Sequence, residues 1–362
     1  MNSFSHCKAE VFLQNYEKDM PNGQTTPQAY NAVLASWAHT KSEIGMERSL
    51  SLLNRMEILK ICNSNTYKAV LSAIRWSGDP EAPKIANEFI RRIEKAGYLD
   101  VGILYSVMLS WLDIGGHSAE HEIKKLYDEA VEKFSEKENT KLDDCCRLYL
   151  KSILLNGSNH RVIETIRNQC TANSTGSSTY LPSEKVFLQL FKHDFDVKMA
   201  QEVIEEMKAL ATIGIPRMYP TILTFENVLL LCQRVARANA MPSDHGEDDA
   251  LQLAIKTYAE ALKDISPKHF HFFDLFVDTC YIICPHNKER MIQIYQLVFE
   301  HSCSKGLMNK TFFDKMKNRL SCDELRLVMG SDFVSQSKEN FIFTRLPSKW
   351  SKNLPHNMPF AD

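Results

Sequence analysis

The stretch KHFHFFDLFVDTCYIICPHNK, Lys268 to Lys288, gathers the residues best able to bind a metal: His269, His271, Cys280, Cys284 and His286. Imidazole and thiolate are zinc ligands, and Cys280 and Cys284, at i and i+4, share one face of a helix. Their spacing matches no compact zinc module, and the apolar residues around them are those a buried helix needs. They are read as packed side chains, and no metal or other cofactor is expected. The glycines of DIGGHSAE, Asp113 to Glu120, fall between two helical patterns, where turns want them, and form no phosphate-cradling loop. Neither a Gly-x-Ser-x-Gly elbow nor a His-Glu-x-x-His helix occurs, so no catalytic residue is assigned and the chain is not expected to be an enzyme. Trp37, Trp76 and Trp111 raise another chemistry, the stacking of bases on indole rings. Trp37 shares an apolar stripe with Tyr30 and reads as core; Trp76 and Trp111 lie off such stripes and are open to either role.

The elements that carry these residues repeat. In YNAVLASWAHTKSEIGMERSLSLLNRME, Tyr30, Val33, Leu34 and Trp37 stand at offsets 0, 3, 4 and 7, which places them on one helix face. Ser49, Leu52, Leu53 and Met56 repeat the offsets. Each half is about three turns long and marginal alone, so something must cover both stripes. The first pattern returns at Tyr67 (Val70, Leu71, Ile74), Tyr105 (Met108, Leu109, Leu112), Cys146 (Tyr149, Leu150, Ile153), Phe187 (Leu190, Phe191), Phe225 (Val228, Leu229, Cys232) and Phe272 (Leu275, Phe276). The second returns at Ala86, Ile123, Ala200 and Met291. A two-helix period near 35 to 40 residues predicts an all-α chain, an α-solenoid of stacked antiparallel helix pairs that cover each other's stripes. The expected organisation is a trailing helix of a preceding repeat in residues 1–26, its helix over Ala9 to Met20, as though an upstream segment came before it. About seven pairs follow over 27–320, with solvated insertions near 171–183 and 237–249, then a capping segment and tail over 321–362.

Composition agrees. Forty-four per cent hydrophobic and 24% charged residues suit a folded chain with a sizeable core, and 13 glycines in 362 residues favour helices over turn-rich sheets. The ten cysteines form no regular framework and read as buried, reduced thiols. There is no run of 18 apolar residues, so no membrane span is expected, and no leader or transit peptide is visible at Met1. The formal net charge is −2. Its placement is uneven: Lys68, Arg75, Arg147, Lys151, Lys185 and Lys192 lie on first helices, while Glu202, Glu205 and Glu206 load a second one.

With AYNAVLASWA at its start, LSLLNRME and AQEVIEEMK in its second helices and GIPRMYPTILTFENVLL at a junction, the chain resembles the pentatricopeptide repeat family over residues 9 to about 316. The resemblance implies a right-handed superhelix whose first helices line a groove for single-stranded RNA, about one base per repeat. The fifth residue of each first helix and the last of the repeat would read the base: Ala32 with Ser64, Ala69 with Gly102, then Val107, and Asn227. Lys68, Arg75, Lys185 and Lys192 would meet phosphates. Some such proteins carry a nuclease domain of clustered aspartates; Asp143 and Asp144 are the candidates here, but helical neighbours point about 100 degrees apart and no further acid joins them. The family works in mitochondria or plastids, in RNA processing, stability or translation. The other reading is a scaffold whose groove, apolar at Ala32, Ala69 and Val107, holds a protein or peptide partner.

Overall fold

The computed structural model describes residues 4–19, 26–135, 139–174, 180–215, 218–238, 246–263, 269–330 and 346–353, and among these every regular element is helical. The chain divides into two compact units, residues 1–186 and 187–362. The first holds α1 (Phe4–Asp19), α2 (Pro27–Ala38), α3 (Glu43–Ile58), α4 (Ser64–Arg75), α5 (Ala82–Lys95), α6 (Val101–Ile114), α7 (Gly116–Phe134), α8 (Asn139–Leu155) and α9 (Asn159–Ser174). The helix α10 (Glu184–His193) crosses the boundary. The second unit holds α11 (Val197–Thr212), α12 (Ile222–Ala238), α13 (Gly246–Ala261), α14 (His271–Ile283), α15 (Lys288–Lys305), α16 (Lys310–Arg319) and α17 (Cys322–Met329), with a 3-10 turn at Ser348–Trp350.

Each of α2, α4 and α6 packs on the helix that follows it and on the next first helix: α2 on α3 and α4, α4 on α5 and α6, α6 on α7 and α8. In the second unit α12 lies on α13 and α14, and α14 on α15 and α16. The expected stripes are the buried ones in most helices. Tyr30, Val33, Leu34 and Trp37 are enclosed in α2, as are Tyr67, Val70, Leu71 and Ile74 in α4. Ala86, Phe89, Ile90 and Ile93 in α5, and Ile123, Leu126, Tyr127 and Ala130 in α7, are enclosed as well. Each large side chain so covered stabilises the fold by about 1.5–3 kcal/mol before entropy is counted.

One stripe is shifted by one residue. In α6 the enclosed set is Leu104, Val107, Met108 and Trp111, while Tyr105, Leu109 and Leu112 are only half-buried. Both sets satisfy helical spacing, because the helix is apolar nearly all round. The observed one begins 37 residues after Tyr67, as Tyr67 does after Tyr30, and 19 before Ile123. In α14 the expected Phe272 and Phe276 are enclosed and Leu275 is half-buried, with Phe273, Val277 and Cys280 enclosed beside them.

The helix starts explain the choice. Asn63 caps α4 and Asp100 caps α6 by accepting the backbone N–H of Thr66 and Ile103, each four residues before its anchor, Tyr67 and Leu104. The residue after each anchor reaches the start of the next first helix. Asn31 donates to Asn63 at 3.3 Å, and Lys68 to Asp100 at 2.8 Å. Asp143 accepts from the Ser183 backbone at 3.0 Å, from the Ser183 hydroxyl and from Tyr180 at 2.8 Å, just ahead of α10. In the second unit Asp274 lies against Asn309, the cap of α16; burial pushes its carboxyl up to about 6, against the pull of Lys315 and Asn309. The acid considered for a nuclease is thus committed to the fold.

Several boundaries differ from expectation. The helix over Ala9 to Met20 begins earlier, at Phe4. Thr171–Ser174 continue α9, residues 237 and 238 continue α12, and Gly246 already opens α13; of the two expected insertions, 175–179 and 239–245 lie outside the described residues. Within the expected cap, α17 is a helix of its own, started by a box in which Ser321 and Glu324 bond each other's backbone N–H. Trp350 then meets Phe299 edge-on at 5.2 Å, and its carbonyl accepts from the Met308 N–H at 2.8 Å. Gly306, with φ +65, ends α15, and its carbonyl accepts from Asn353.

Asp143→Ala should strip three buried or half-buried donors of their acceptor and destabilise the chain by about 2–3 kcal/mol. Asp144→Ala, at an exposed neighbour, should stay within about 0.5 kcal/mol. Urea unfolding of the two variants measures the difference.

Candidate nucleic-acid interface

With each first helix anchored, the face opposite the core is defined. Residues two before, and two, five and nine after the anchor lie about 180 degrees from it. In the first unit these are Gln28, Ala32, Ala35 and His39 on α2, Asn65, Ala69, Ser72 and Trp76 on and just after α4, and Gly102, Ser106, Leu109 and Asp113 on α6. None of them is fully buried. The row is mostly small and uncharged, which leaves backbone and short side chains open over three adjoining helices.

The residues expected to read bases divide. Ala32 is exposed and Ala69 half-buried on this row. Val107 is enclosed and offers no surface; with the one-residue shift the residue matching Ala32 and Ala69 is Ser106, whose hydroxyl donates to the Gly102 carbonyl at 2.8 Å. Ser64 donates to Asp100 at 2.7 Å, and its counterpart at the start of α6 is the enclosed Val101 in place of Gly102. Gly102 lies under the Lys68 side chain, where a Cβ would meet it at 3.1 Å. Asn227, half-buried on α12, donates to the Leu223 carbonyl at 2.8 Å.

The expected phosphate contacts divide too. Lys68 is bound to Asp100, and Arg75 to Asp113 at 2.6 and 3.1 Å, so both cations are met by carboxylates of the next repeat. Burial alone would raise the Asp100 carboxyl; the hydrogen bonds from Lys68, Ser64 and the Ile103 N–H outweigh it and hold the group below its ordinary range. Lys185 and Lys192 are exposed. Sequence reasoning gave no sign of these pairs, because their partners lie 32 and 38 residues away.

The tryptophans separate into two kinds. Trp37 donates its indole N–H to Glu10 on α1 at 2.8 Å, and Trp111 donates to Asn87 on α5 at 3.2 Å; both are enclosed and tie a first helix to the second helix before it. Trp76 is 41% exposed, with the Arg75 guanidinium 4.4 Å and the Lys41 ammonium 4.9 Å from its ring centroid. Among the described residues no group of three His, Cys, Asp or Glu side chains is arranged to hold a metal, and Cys280 is enclosed as packing. No helix among them is long and apolar enough to cross a membrane. Comparison with protein-family models, with curated proteins and with solved structures finds no match.

Asp100→Asn should destabilise the first unit. Because the folded carboxyl titrates below its unfolded value, the contribution is present above about pH 4 and is lost as pH falls through the folded value. The gap between wild-type and variant unfolding midpoints should therefore narrow as pH falls from 6 towards 2.

Proposed function

We propose that this chain is a non-catalytic helical-repeat protein of the pentatricopeptide type that binds single-stranded RNA along its first helices. The observation that carries the reading is the open row. Three first helices spaced 37 residues apart present matching positions, Ala32, Ala69 and Ser106, on the face turned from the core. A single strand suits such a row because its unstacked bases can be splayed onto successive repeats, whereas a duplex hides their edges. The row is not strongly basic, so affinity would rest on stacking and short polar contacts more than on phosphate charge. Lys185 and Lys192 remain the candidates for phosphate contact, and Ser106 replaces Val107 among the reading residues. The role this implies is in organellar RNA processing, stability or translation, in mitochondria or plastids.

A protein-binding scaffold is the second reading. One observation favours it: α12 exposes Leu223 and Leu230, with Tyr219 just before the helix, where a base-reading face would be polar. Such a patch suits a partner's apolar side chains.

Filter binding with 12-nucleotide RNA, single-stranded and in duplex form, tests the first reading. The single strand should bind more tightly, with log K falling by roughly 0.7 per phosphate contact as log salt rises. Ala69→Glu with Ser106→Glu places like charge against the strand and should weaken binding at least roughly tenfold, helicity being unchanged. No single-strand binding, together with a stoichiometric protein partner that survives RNase, would overturn it in favour of the scaffold.

A further inference from the structure

Lys41 stands in the turn after α2 with φ +50, a left-handed conformation unfavourable for a residue that carries a side chain. The equivalent positions 37 and 74 residues on are Gly78, φ +82, and Gly115, φ +72. Two repeats thus meet the requirement of this turn with the residue that adopts it freely, and the first meets it with a lysine. What distinguishes the first is its neighbour: the Lys41 ammonium lies over the ring of Trp76.

That ring is already half a platform. Arg75 stacks on it at 4.4 Å and itself donates two hydrogen bonds to Asp113 on α6, so the guanidinium is fixed in orientation. Three successive repeats contribute: Lys41 from the first, Trp76 and Arg75 from the second, Asp113 from the third. Ile74, not Trp76, fills the core position of α4 that Trp37 and Trp111 fill in α2 and α6, so packing does not require an indole at 76. An exposed tryptophan with one cation held by a carboxylate and a second over its ring suits a planar, electron-rich ligand attached to an anion.

We infer that Trp76 is a stacking platform for one unpaired nucleobase of a bound single strand, with Lys41 turning from the ring to the adjoining phosphate. The inference rests on the RNA-binding reading above and adds a stacking site, at the end of the open row, to the reading positions Ala32, Ala69 and Ser106. On binding, the base takes the place of the Lys41 ammonium on the indole, and Arg75, kept by Asp113, stays.

Intrinsic fluorescence and filter binding with a 12-nucleotide single-stranded RNA test it on the full chain. Since Trp37 and Trp111 are enclosed and Trp350 is packed against Phe299, RNA should quench wild-type emission, and Trp76→Phe should remove most of the quench. Trp76→Ala should weaken binding roughly tenfold, and Trp76→Phe should recover part of that loss. Lys41→Gly is the decisive variant: relief of the left-handed backbone should leave the thermal midpoint unchanged or raised, while affinity falls roughly threefold. A binder whose affinity and emission ignore Trp76→Ala would overturn the platform and leave RNA binding standing. A wild-type chain that binds no single strand would overturn both.

Discussion

The contact on which the rest of the described structure depends is a polar reach from one first helix to the beginning of the next. Asn31 meets Asn63, Lys68 meets Asp100, Asp143 meets Ser183, and Asp274 lies by Asn309. In each case the donor or acceptor follows a buried anchor by one residue. A helix start leaves backbone N–H groups without partners, and the capping side chain satisfies one of them. Binding that cap to the previous helix ties each helix start to its neighbour. The same bond fixes which residues of the following helix turn inward.

Second helices are tied differently. Arg55 pairs with Glu17 and Lys133 with Glu94, both at 2.6 Å, and Arg92 and Arg161 clasp Glu57 and Glu120. Most of these side chains are well exposed, and such pairs contribute about 0–1 kcal/mol each. Their effect is better described as setting the offset between adjacent pairs, while Ile90, Ile93, Ile123 and Tyr127 supply the apolar burial. The division of labour accounts for a near-neutral chain with many charges: cations and anions are spent on one another between repeats.

That pairing shapes the functional reading. Lys68 and Arg75, which look like phosphate ligands on a helix diagram, are held by Asp100 and Asp113. What stays open is a row of small residues and one indole. A single strand bound there, as proposed, would be held through contact and stacking, with little steering by net charge.

The helices, their pairing and most buried stripes were legible in the sequence, because an apolar offset of 0, 3, 4 and 7 is a local consequence of 3.6 residues per turn and repeats wherever the period does. Tyr30, Tyr67 and Phe225 could be placed without any neighbour. The register of α6 could not: Leu104 and Tyr105 serve the local pattern equally well, and the choice belongs to the Asp100 cap and its partner on another helix. The spacing of Lys41, Gly78 and Gly115 was present in the sequence as a sign of an unusual turn, but the sign of φ is set only when the turn closes. Whether Trp76 or Trp111 packs, and whether Lys68 is free or held, depends on side chains 24 to 38 residues away. Periodicity fixes a residue's direction about its own axis; only tertiary contact decides what waits there.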